Sequence, residues 1–96
     1  MSALEGEWEV VRTGGLLPPM LGLVRKRIDG AGGSTSFAGL PVRFDVVGLE
    51  LRYRAPLLGV VDELRPESLD SYAGTAKLFG RPLGTFRMIR AGGSTG

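Results

Sequence analysis

Asp62 ends the apolar run Leu57-Leu58-Gly59-Val60-Val61 in a chain without histidine or cysteine. A carboxylate carried by a short apolar strand faces either water or a lined interior. In an interior, burial raises its pKa unless a cation and hydrogen bonds hold it ionised. Asp62 is therefore the first place to look for binding or proton transfer. Tyr53 and Tyr72 add phenol groups that can donate, accept or move a proton, and Trp8 adds a broad ring that can stack on a flat guest. Ser34, Ser36, Ser68 and Ser71 have no recognisable activating group, and no thiolate is available as a zinc ligand or nucleophile. Gly30 to Gly33 lacks the lysine-serine or lysine-threonine ending of a phosphate loop. The chemistry expected is binding, or acid-base work, with no metal or cofactor.

Such side chains need a scaffold, and the composition favours sheet. With 16 glycines and 6 prolines among 96 residues, helix interiors are penalised and tight connections favoured. The expected fold is all-β: a small antiparallel β-barrel or a strongly curved meander sheet. An apolar share of 43% can fill one small core, so residues 1–90 read as one barrel domain. The 12 basic and 10 acidic residues leave a net charge of +2. The cations recur singly instead of forming a phosphate-tracking stripe, so nucleic acid is not an expected partner. Met1 to Val10 lacks a signal-peptide core, and Leu16 to Val24 is broken by Pro18-Pro19 and Gly22, so no targeting segment or membrane span is read. With no cysteine, the pattern fits a cytoplasmic protein.

About seven extended segments can be placed. Glu5 to Thr13 puts Gly6, Trp8 and Val10 on one face and Glu7, Glu9 and Val11 on the other. Residues 16–21 are too apolar for an idle loop and read as a short helical turn or flap over an open end of the sheet. Leu23 to Asp29 alternates Leu23, Arg25 and Arg27 against Val24, Lys26 and Ile28, and Asp29 to Ser34 reads as a hairpin connection. A short strand near Thr35 to Leu40 follows. Val42 to Arg54 changes apolar parity around Val46-Val47-Gly48, which calls for a β-bulge or barrel corner. Leu57 to Leu64, Leu69 to Phe79 and Leu83 to Arg90 complete the set, with turns at Arg65-Pro66-Glu67-Ser68 and Gly80-Arg81-Pro82. Ala31-Gly32-Gly33-Ser34-Thr35 recurs as Ala91-Gly92-Gly93-Ser94-Thr95, and residues 91–96 read as a flexible Gly/Ser tail.

Several stretches, in order along the chain, resemble the small bacterial proteins named for a GXWXG motif, often followed by the segment catalogued as domain of unknown function 4334. Gly6-Glu7-Trp8-Glu9 matches the opening of that motif, with Val10 where its last glycine belongs. Lys26-Arg27-Ile28-Asp29 is similar to the family's Gly-Lys-Arg-Phe-Asp stretch, with Arg25 for glycine and Ile28 for phenylalanine. Leu58-Gly59-Val60-Val61-Asp62-Glu63-Leu64 resembles Leu-Pro-Ile-Ile-Asp-x-Phe with Gly59 for proline, and Thr85 to Arg90 resembles the arginine-ended closing strand. The resemblance implies a lipocalin-like barrel with an internal apolar binding space. It supplies no reaction.

At these positions Asp62, Lys26, Arg27 and Arg90 are candidates for an interior charge network able to orient a ligand carboxylate or enolate. The alternative is an exposed Asp62 beside Glu63, with the cations on a solvent face. Trp8 either lines a pocket or fills the core. Small residues at Gly74 and Ala76 either leave ligand space beside Tyr72 or allow close sheet packing. Met20, Phe44, Phe86 and Met88 either extend an apolar lining or pack normally. The leading expectation is a barrel that binds a hydrophobic or amphipathic small molecule. The alternatives are a cofactor-free cyclase or isomerase acting on a polyketide-like compound through Asp62, Tyr53 or Tyr72, and a homodimer formed along an uncovered sheet edge.

Overall fold

The computed structural model describes residues 4–15, 24–37, 39–55 and 57–91. Eight strands follow one another without a crossover: β1 (Gly6–Gly15), β2 (Val24–Asp29), β3 (Gly32–Phe37), β4 (Leu40–Val47), β5 (Glu50–Tyr53), β6 (Val60–Ser68), β7 (Ser71–Leu78) and β8 (Arg81–Arg90). Each pairs antiparallel with its sequence neighbours, and β8 returns to β1 to close the barrel. Closure gives each of these strands two partners, so among the described residues no strand offers the uncovered edge on which edge-to-edge dimerisation was to rest. The expected flap at 16–21 and tail residues 92–96 lie outside the described residues. Ala91, assigned to that tail, donates its amide N–H to the Glu7 carbonyl.

The eighth strand comes from the parity change at Val46-Val47-Gly48, which is a hairpin and not a bulge. Val47 pairs with Glu50, leaving Gly48-Leu49 as a two-residue turn with Gly48 at φ 61°. Glycine at the first central position suits a turn that follows the twist of its strands. Val42, Phe44 and Val46 face inward before the turn, Leu51 and Tyr53 after it, and Leu49 is exposed at the tip. Other boundaries shift as well: β4 begins at Leu40 and not Val42, β6 at Val60 and not Leu57, and β8 at Arg81 and not Leu83. The β2–β3 connection is the two residues Gly30-Ala31, so β3 begins at Gly32 and not at Thr35. Arg65 to Ser68 belongs to β6, with the turn at Leu69-Asp70; the register slips between Pro66 and Ser68, an irregularity suited to a residue that has no N–H for the ladder.

Alternation decides what enters the barrel. Trp8 and Val10 of β1 are buried while Glu7, Glu9 and Val11 are not, and on β2 the inward set is Val24, Lys26 and Ile28. At the end holding the 30–31, 48–49 and 69–70 turns the interior is solid. Trp8 is fully buried, donates its indole N–H to the Leu4 carbonyl at 2.8 Å, and meets Tyr72 edge-on with ring centres 5.4 Å apart. Met88, Ile28, Leu51 and Leu64 pack in the same cluster. Two aromatic rings lie over cross-strand glycines: Phe86 covers Gly74 and Phe44 covers Gly33. A Cβ at Gly74 would stand 2.2 Å from Phe86 Cζ, so close sheet packing is why glycine sits there.

Candidate functional site

The other end of the barrel is hollow. A cavity of about 440 Å³ lies among Val10, Val24, Val42, Val60, Ala76 and Leu83, a volume in the range of small-molecule sites. Leu40 and Leu57 also line it, yet are 73% and 41% exposed, so the cavity reaches the surface beside them. Strand alternation explains the lining: each wall residue is an inward position near the mouth end of its strand. Ala76, two residues beyond Gly74, is paired with Gly84 instead of an aromatic residue and lines the cavity.

The deeper lining is polar and charged. Lys26 from β2, Thr35 from β3, Tyr53 from β5 and Asp62 from β6 converge on the cavity. Lys26 Nζ lies 3.0 Å from Asp62 Oδ2, and both side chains are about 95% buried, with 4% and 5% exposed. The ammonium also donates to Thr35 Oγ1 at 2.8 Å and to the Tyr53 hydroxyl. Tyr53 in turn donates to Asp62 Oδ2 at 2.9 Å, which makes Thr35 the donor in its own 2.6 Å contact with the Tyr53 oxygen. Phe44, Tyr53 and Phe86 surround the ammonium with ring centres 5.7, 5.2 and 5.4 Å away.

This setting shifts the titration of Lys26 and of Tyr53. Burial alone would lower the Lys26 pKa, but the field and hydrogen bonds of Tyr53 and Asp62 outweigh it and raise it above the ordinary 10.5. Burial is also the largest influence on Tyr53, and it raises that pKa above the ordinary 10.0 against the opposing pull of Lys26. At neutral pH Lys26 is therefore an ammonium and Tyr53 a neutral phenol.

The structure divides the sequence-selected residues in two. Lys26, Tyr53, Asp62 and Phe86 line the cavity; Phe44 packs edge-on against Tyr53 and approaches the ammonium from the solid side. Trp8, Tyr72 and Met88 belong to the solid end, with Tyr72 engaged by Trp8 and not by Asp62. The four-membered charge network reduces to one pair. Arg27 is on the outer face of β2, and Arg90 lies over the Trp8 ring at 4.3 Å while bonding the Glu5 carbonyl and Asp70. Met20 lies outside the described residues. Thr35 was missed, although a signal existed: a two-residue turn at Gly30-Ala31 puts Thr35 directly opposite Lys26. Among the described residues no group of three acidic side chains could hold a metal ion, and no helix is long and apolar enough to cross a membrane. No family model matches the chain, and no curated protein or solved structure matches it.

Proposed function

We propose that the protein binds a small hydrophobic or amphipathic organic molecule in the hollow end of its barrel. The observation that carries this reading is the coexistence of an apolar cavity of about 440 Å³ with a single buried ion pair at its floor. The walls remove apolar surface from water, worth about 25 cal/mol per Å². The floor gives the guest a fixed polar end, the usual division of labour in small-molecule sites.

Native mass spectrometry of gently purified protein, with titration of the neutral dye Nile red, tests the reading. The wild-type chain is expected to bind the dye in a saturable 1:1 manner, seen as the stoichiometry of about one dye per barrel. Ala76→Phe directs a ring into the cavity and should abolish binding, with retention of the fold checked by circular dichroism. Equal dye binding by the folded Ala76→Phe variant would place the dye outside the barrel and defeat the proposal.

A further inference from the structure

The hydrogen bonds at the cavity floor narrow the ligand class, given the container reading on which this step rests. Lys26 Nζ has three oxygen partners, hydrogen bonding to Thr35 and Tyr53 and pairing with the Asp62 carboxylate. The single Tyr53 proton goes to Asp62 Oδ2, and the single Thr35 proton goes to Tyr53. Every donor atom of the cluster therefore already has a partner within it. The vacancy is an acceptor. Asp62 Oδ1 receives no hydrogen bond from any described group, and among the described residues no fully buried polar side-chain atom lacks a partner, so Oδ1 keeps some open surface. Asp62 is an inward residue of β6 and lines the cavity, so that surface faces the guest.

We infer that the cavity takes a neutral amphiphile ending in a hydroxyl group, alcohol or phenol, which donates its hydrogen bond to Asp62 Oδ1. A carboxylate would find no free donor and would sit beside a second carboxylate. An ammonium would add a second buried cation close to Lys26. A hydroxyl leaves the net charge of the floor unchanged and fills its open acceptor.

Decanol, decanoate and methyl decyl ether share one apolar chain and differ only at the polar end. Their affinities can be compared by displacement of Nile red at pH 7 and checked by calorimetry. Decanol is expected to bind roughly ten- to a hundredfold more tightly than either of the others, the range for one hydrogen bond to a charged group. In Asp62→Asn the ammonium loses its counter-ion, so decanoate should gain at least about tenfold and overtake decanol. Equal affinities in the wild type overturn the hydroxyl assignment while leaving the container reading intact, and tighter decanoate binding does the same. Failure of all three to displace the dye or to bind calorimetrically overturns the container reading together with this inference. The wild-type series decides the matter by itself if Asp62→Asn does not fold.

Discussion

The two ends of this barrel are built from the same eight strands and the same alternation, yet one is filled and the other is not. In the filled end the inward positions carry Trp8, Tyr72, Met88, Leu51 and Leu64, and the rings of Phe44 and Phe86 cover the glycines opposite them. In the hollow end the inward positions carry valines, Ala76 and Leu83, which are too short to meet across the lumen. Side-chain volume decides the difference. The Lys26–Asp62 pair with Tyr53 and Thr35 sits at the boundary, where polar groups close the packed half and floor the open one. Stability should therefore reside in the filled half, and specificity at the boundary.

Paired deletions in the two halves give the sharpest separation. Trp8→Ala removes the largest fully buried side chain and leaves the Leu4 carbonyl without its indole donor; it should cost about 3–5 kcal/mol. Leu83→Ala merely enlarges an existing space, where contacts on one side are already missing, and should cost less than about 1 kcal/mol. Urea unfolding followed by circular dichroism measures both. Similar losses would mean that the hollow end is packed in solution.

The boundary cluster responds differently to single and paired changes. Lys26→Met leaves Asp62 buried without its cation and should cost about 3–5 kcal/mol, whereas Lys26→Met combined with Asp62→Leu should recover most of that loss. The recovery identifies the pair as a device retained for the site and not for stability. A double variant no more stable than the single one would make the ion pair part of the structural core and erase the proposed boundary.

The barrel was legible in the sequence because period-two alternation and turn residues both report on strands, and the parity of Trp8 and Val10 was right on the first strand. The strand count was short by one because a two-residue hairpin at Gly48-Leu49 and a β-bulge shift apolar parity in the same way. Asp62 was found from its apolar run alone. Its partner Lys26 was named only as one of three candidate cations, at positions the family resemblance supplied, because on β2 the alternation of Val24, Lys26 and Ile28 against Leu23, Arg25 and Arg27 does not by itself say which set turns inward. Tyr53 and Tyr72 looked alike in sequence but lie at different depths, since depth depends on the register each strand keeps with its neighbours. That register also explains Gly74 and Ala76. They are adjacent inward positions on β7, but only Gly74 is opposite Phe86.

A pH titration dissolves the boundary without a mutation and has the smallest effect near neutrality. Lys26 has a folded pKa raised above its ordinary 10.5, so its pairing contributes fully below that value and is lost as pH climbs through the folded one. Tyr53 is an acid with a raised folded pKa, so the unfolded chain releases that proton first, near 10.0, and folding becomes progressively less favourable above it. Both groups therefore act in the same direction: stability should be flat from neutrality to about pH 9 and fall at alkaline pH. The tyrosinate absorbance of the folded protein should show one tyrosine ionising above the ordinary range, and Tyr53→Phe should delete that late transition. If the late transition survives in Tyr53→Phe, it does not belong to Tyr53, and the boundary there is open to water.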